Sequence, residues 1–318
     1  MNNTQTVFSD DVIALLAPGQ GSQTPGMLAP WLELPGAAER LAGWSEIAKL
    51  DLTRLGTTAE ADEIKDTAIT QPLIVAATLL AFEQLKSRVE IPADALIAGH
   101  SIGEFAAAAM AGALTAEDAI ALAAVRGREM AAACELEPTG MAALMRGTEE
   151  AILTRLAELD LVPANRNGAG QIVAAGSVAA LEKLVAEPPA DTKVITLKVA
   201  GAFHTHYMAP AQQALAAHAA TLAAPADPAF TLLSNRDGAS VAEGAEVLAR
   251  LIDQVTNPVR WDRCMAAMAE HGVDAIVEFP PAGALVGLAK RELSGTPTVA
   301  LKTPANLDTV AELIGSTA

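Results

Sequence analysis

Residues 12–17 read Val-Ile-Ala-Leu-Leu-Ala, an apolar run closed by Pro18-Gly19-Gln20-Gly21. A short apolar run that stops at proline and glycine predicts a strand buried on both faces. A second run, 95–99, leads into Gly99-His100-Ser101-Ile102-Gly103 and then an alanine-rich stretch to 113. That pattern predicts strand, sharp turn and helix in succession. Residues 69–86 are apolar almost throughout, as in a long helix. Another helix is expected from Thr115 to about Cys134, with Thr115-Ala116-Glu117-Asp118 resembling a capping box. Strands alternating with helices indicate a mostly parallel sheet.

The pattern changes between about 140 and 200. Strands are expected at 141–146, 161–166, 171–175 and 193–199, with helices at 148–159 and 178–186. The order β-α-β-β-α-β is that of a ferredoxin-like unit. It divides the chain into a core of residues 1–137 and 202–318 and an inserted subdomain of 138–201, in preference to a continuation of the main sheet. The α/β alternation then resumes, with strands at 230–234 and 275–279 and helices near 245–255 and 263–271.

At 318 residues and 51% apolar composition, the chain can form one large α/β domain with a small insert. No stretch of about 18 uninterrupted apolar residues argues for a membrane span. The opening Met1-Asn2-Asn3-Thr4-Gln5-Thr6 lacks the basic and apolar regions of a signal peptide. The two cysteines, Cys134 and Cys264, form no metal-ligand spacing. A cytoplasmic protein with no metal and no cofactor is therefore expected, most simply a monomer. The net charge of −17 disfavours binding to nucleic acid or an anionic membrane.

The G-x-S-x-G turn makes Ser101 a candidate nucleophile. A serine hydroxyl needs a base to take its proton, and five histidines are available. His100 adjoins Ser101 at a sharp turn, where successive side chains point apart. His218 falls in an alanine-rich helix, and His271 at a helix end, where a capping role is expected. His204 and His206 follow the strand expected at 193–199, and strand carboxyl ends are where open α/β sheets gather their sites. Arg126 and Arg128 lie in equally alanine-rich surroundings, and periodicity does not choose between them.

Gly99-His100-Ser101-Ile102-Gly103-Glu104 together with Pro18-Gly19-Gln20-Gly21-Ser22-Gln23 resembles the acyl-carrier-protein S-malonyltransferases. Thr70-Gln71-Pro72, Val125-Arg126-Gly127-Arg128-Glu129-Met130 and Gly201-Ala202-Phe203-His204-Thr205 extend the likeness. So do Asn257-Pro258-Val259-Arg260-Trp261 and Gly287-Leu288-Ala289-Lys290-Arg291. The resemblance implies an α/β-hydrolase-like core carrying a ferredoxin-like insert. It implies Ser101 as nucleophile, His204 as base and acid, and the Gln254 main-chain carbonyl as the group that orients His204. The backbone N–H groups of Gln20 and Ile102 would form the oxyanion hole, and Arg126 would bind the malonyl carboxylate. Phe203 would disfavour branching at the acyl α-carbon, and Met130 could line the same pocket. The implied partners are malonyl-CoA and acyl carrier protein, in fatty-acid or polyketide synthesis. Lys290 and Arg291 are candidates for phosphate contacts. The chain departs from the family at Ala169-Gly170-Gln171 and at Pro280-Pro281-Ala282-Gly283, which bears on loop geometry.

Two other readings share parts of this pattern. A serine hydrolase would use the same nucleophile and base but resolve the acyl-enzyme with water. A non-catalytic carrier-binding module would keep the fold alone, which an intact Ser101, His204 and Arg126 set argues against.

Overall fold

The computed structural model describes residues 12–317. The strands, in chain order, are β1 (Val12–Ala17), β2 (Leu96–Gly99), β3 (Thr139–Arg146), β4 (Val162–Gly168) and β5 (Gln171–Ser177). They continue with β6 (Thr192–Thr196), β7 (Thr231–Leu232), β8 (Val259–Arg260), β9 (Val273–Glu278) and β10 (Thr298–Ala300). The main sheet has the order β10-β9-β1-β2-β7, with every neighbouring pair parallel. Its inner strands β1 and β2 are buried on both faces. In β1, Ile13, Leu15 and Ala17 pack into one apolar cluster, and Ala14 and Leu16 into another on the opposite face. Two-sided burial is why β1 and β2 read as unbroken apolar runs rather than as an alternation.

The second sheet has the order β6-β3-β5-β4-β8. Within the inserted segment the fourth, first, third and second strands lie side by side, joined antiparallel. Helices Glu149–Glu158 and Val178–Ala186 bury Ile152, Leu156, Leu181 and Leu184 against this sheet. The fifth strand, β8, comes from outside the segment and pairs parallel with β4, Asn165 opposite Val259. That seam binds the small sheet to the core, a tie that no local pattern foretells.

The expected elements differ at their edges. The strand expected at 193–199 stops at Thr196, and Leu197 and Val199 turn to line the central cavity. The one expected at 230–234 narrows to Thr231–Leu232, because Ser234 and Asn235 leave the sheet for a turn beside Ser101. Thr115 caps helix Ala116–Cys134 by accepting from the Asp118 N–H at 3.0 Å. Helix Thr67–Lys86 starts two residues before its expected position, where Asp66 accepts from the Ala68 N–H. By length and composition this helix could cross a bilayer, but 78% of its most apolar window is buried inside the protein. Its apolarity is that of a central core helix.

Candidate active site

The turn after β2 is held by close packing. Ser101 has φ 53°, in the left-handed region that side chains seldom adopt. A Cβ on Gly99 would lie 2.1 Å from the Gly103 carbonyl carbon, and one on Gly103 would lie 2.3 Å from the Ala17 oxygen. Only glycine permits strand, turn and helix to meet this closely. Asn235 locks the turn from the far side of the sequence. Its Oδ1 accepts from the Ser101 N–H at 2.8 Å, and its Nδ2 donates to the Gly99 carbonyl at 2.7 Å.

His204 Nε2 lies 2.8 Å from Ser101 Oγ, and His204 Nδ1 lies 2.9 Å from the Gln254 main-chain oxygen. A carbonyl only accepts, so Nδ1 carries the proton and Nε2 is free to accept from the serine hydroxyl. His204 is buried, with φ 60°. Burial, and next the positive charge of Arg126, push its pKa down from 6.5 to about 3. The imidazole is therefore neutral at physiological pH, the form a base requires.

Arg126 is fully buried, whereas Arg128 is exposed and paired with Glu129. Arg126 Nη1 donates to Gln71 Oε1 at 2.7 Å, and Nη2 donates to Gln254 Oε1 at 2.7 Å and to Ser101 Oγ at 3.3 Å. Its Nε is buried without a partner among the described residues. Burial lowers its pKa to about 9 and Glu104 acts against that shift, so the guanidinium stays charged at neutral pH. Two amide oxygens and a hydroxyl thus surround a buried cation that has no carboxylate in contact with it. Such a site is prepared for an anionic ligand.

Glu104, in the first turn of helix Gly103–Met110, is buried beneath the elbow. Its Oε1 accepts from the Asn235 N–H at 2.7 Å, and its Oε2 accepts a short hydrogen bond from Gln254 Nε2. Burial pushes its carboxyl up to about 7, opposed by those two bonds and by Arg126 and Arg250.

These groups open on a cavity of about 190 Å³ whose wall includes Gln20, Ser101, Ile102, Arg126, Phe203 and His204. Met130 lines it as well, its sulfur 3.5 Å from Gln71 Nε2. The small sheet closes another side with Met141, Asn165, Asn167 and Val173. Among the described residues nothing accepts from the N–H groups of Gln20 or Ile102. Among the described residues no other histidine hydrogen-bonds to Ser101. His218 lies in helix Ala209–Ala219 with its Nε2 buried and, among those residues, unpartnered. His100 lines the cavity but is held by other groups. His100 Nε2 meets Asn167 Oδ1 at 2.9 Å, and its ring packs edge-on to Trp261. Exposed His206 stacks on Tyr207, and His271 Nδ1 binds the Ala267 carbonyl at 2.7 Å, in the capping position expected of it. Lys290 and Arg291 are exposed at the end of helix Ala284–Glu292 and do not line the cavity. Among the described residues no cluster of three or more His, Cys, Asp or Glu side chains is placed to hold a metal.

The structure therefore gathers every residue singled out as nucleophile, base, oxyanion donor, carboxylate ligand or acyl-pocket wall. It adds Gln71, Glu104, Asn235, Asn165 and Asn167, to which sequence reasoning gave no role. Gln71 and Glu104 carried a signal, as polar residues at buried positions of otherwise apolar helices. Asn235 carried none, because its partners at the elbow lie more than 130 residues away.

The model of the acyl transferase domain family matches residues 15–311. The malonyl CoA-acyl carrier protein transacylase of Mycobacterium tuberculosis is 61% identical over 303 residues, covering 95% of this chain and 100% of that protein. The protein of the same name from Escherichia coli is 33% identical over 308 residues, covering 94% of this chain and 99% of its own length. The crystal structure of MCAT from Mycobacterium tuberculosis matches with a TM-score of 0.91 at 61% identity, covering 94% of this chain and 99% of that one.

Proposed function

The chain belongs to the acyl transferase domain family, among the acyl-carrier-protein S-malonyltransferases, and on that premise we propose how its residues carry the reaction. The enzyme transfers a malonyl group from malonyl-CoA to acyl carrier protein for fatty-acid synthesis. The transfer runs in two steps through a serine ester.

In the first step Ser101 Oγ attacks the thioester carbon and its proton passes to His204 Nε2. The N–H groups of Gln20 and Ile102 donate to the carbonyl oxygen as it becomes negative. The C–S bond breaks, and His204 returns the proton to the departing CoA sulfur. In the second step the phosphopantetheine thiol gives its proton to His204 and attacks the malonyl-serine carbon. The C–O bond breaks and Ser101 recovers the proton. Gln254 holds the imidazole with a neutral carbonyl instead of a carboxylate. That suffices, because the imidazole needs a fixed tautomer and orientation at each step.

One observation carries the choice of cargo. Arg126 stands within hydrogen-bonding distance of Ser101 Oγ, so a carboxylate on the guanidinium brings the neighbouring acyl carbon to the nucleophile. A guanidinium also pairs with a carboxylate through two parallel hydrogen bonds. Phe203 and Met130 then shape the space around the α-carbon. The reaction takes place in the cytoplasm, in a monomer that uses no resident metal or cofactor.

The test is to incubate the protein with malonyl-CoA, follow its intact mass, and then add acyl carrier protein. A malonyl adduct that is absent in Ser101→Ala and moves to the carrier is the expected result. CoA release without carrier acylation would instead assign a hydrolase, and an inert protein would assign a binding module.

A further inference from the structure

We propose that Glu104 is the positioning residue of the carboxylate clamp, acting through the side chain of Gln254 to hold Arg126 ready for the malonyl group. The inference rests on the reading of Arg126 given above.

A carboxamide has one end that accepts and one that donates, in nearly the same shape. Which way it faces is decided by its neighbours. The Gln254 amide lies between Arg126, which only donates, and Glu104, which in its carboxylate form only accepts. It also donates to the Ser101 carbonyl at 2.9 Å. One orientation satisfies all three contacts, and the reverse opposes like to like in all three. The guanidinium and the carboxylate together therefore leave the amide a single state. Its Oε1 fixes Arg126 Nη2, while Gln71, whose own amide nitrogen is turned toward the Met130 sulfur, fixes Nη1.

A glutamine at 104 would keep the shape and lose this logic. With one end accepting from the Asn235 N–H, the other end becomes an NH₂ that faces the Gln254 NH₂. Gln254 then either loses the contact or reverses against Arg126. Glu104 also serves the elbow through Asn235, but that branch affects every acyl group alike. The Gln254–Arg126 branch affects acyl groups that carry a carboxylate.

The experiment compares kcat/KM for malonyl-CoA and acetyl-CoA in the wild type, Glu104→Gln, Gln254→Met and the double variant, with thermal melting of each. Gln254→Met keeps the main-chain carbonyl that holds His204. A wild type without malonyl preference would overturn the reading of Arg126 itself. Given that preference, each single variant is expected to lower the malonyl-to-acetyl ratio by about tenfold, and the double variant by no more than either, because both act through one contact. An unchanged ratio in Glu104→Gln, or a multiplied loss in the double variant, overturns the relay. Should Glu104→Gln not fold, Gln254→Met carries the test alone. It must then reduce malonyl transfer more than acetyl transfer, and an equal fall in both overturns the proposal.

Discussion

Arg126 Nη2 stands 3.3 Å from Ser101 Oγ while donating to Gln254 Oε1 at 2.7 Å. In a malonyl group a single methylene separates the carboxylate from the acyl carbon. With Arg126 as the proposed carboxylate ligand, the spacing between guanidinium and nucleophile would set the length of acyl group that fits. A longer diacid held by the same arginine would carry its acyl carbon past Ser101.

Arg126→Ala is accordingly expected to lower kcat/KM for malonyl-CoA by about 10- to 150-fold, the equivalent of ~1.5–3 kcal/mol for hydrogen bonds to a charged group. Acetyl-CoA, with no carboxylate to lose, should be affected far less. Lysine at this position should restore little, since it offers a point charge in place of a planar fork. Rates with malonyl-, succinyl- and acetyl-CoA decide the matter, and a parallel fall in all of them would refute the clamp.

His204→Ala should slow acylation of Ser101 by about 10²- to 10⁴-fold, the usual range for a positioned general base. Rapid quenching followed by intact mass gives the rate directly. Acylation at the wild-type rate would assign the proton to another group.

The pH profile carries its own signature. Because burial and then Arg126 hold His204 down at about 3, the acid limb of kcat/KM should lie well below the ordinary histidine value of about 6.5. Removing Arg126 takes away a cation that opposes protonation, so the limb should move upward in Arg126→Ala, measured with acetyl-CoA. The same depression affects stability. As pH falls from 6.5 toward about 3 the unfolded chain binds a proton that the folded chain refuses, so stability is lost through that window. His204→Ala should lessen that loss, as read from denaturant midpoints across the range.

Phe203 forms part of the cavity wall beside His204. Phe203→Ser should raise methylmalonyl use relative to malonyl by about tenfold or more, since accommodating one methyl is worth ~1–3 kcal/mol. Competition between the two thioesters measures the ratio, and no change would locate the α-carbon elsewhere.

Gly103→Ala tests the elbow. Its new Cβ would lie 2.3 Å from the Ala17 oxygen, a backbone neighbour that cannot give way as a side-chain tip can. A loss of about 1–3 kcal/mol or more is expected, visible as a lower denaturant midpoint. Unchanged stability would mean that the turn can open without cost.

Much of the fold was legible because it is written in local patterns. β1 and β2 announce themselves as apolar runs, and the inserted segment shows its βαββαβ order through alternating periods. The edges were not legible. β6 stops at Thr196 and β7 at Leu232 because the chain is needed elsewhere, at the cavity wall and at the elbow. β8 has two residues and gains its strand identity wholly from pairing with β4.

The site divides the same way. The sequence by itself determined that Ser101 would sit on a strained turn between a buried strand and a helix, because that geometry depends on glycines two residues to either side. Resemblance supplied the remaining roles, and the fold alone brought those groups into contact. His204 meets Ser101 across 103 positions, and Gln254 meets His204 across 50. Arg126 and Arg128 are alike in sequence and differ in burial, one enclosed among amides and the other turned to solvent beside Glu129. Hydrogen bonds and desolvation act over a few ångströms of space, not along the chain. Only the tertiary structure could therefore decide which arginine faces the serine, and which amides enclose it.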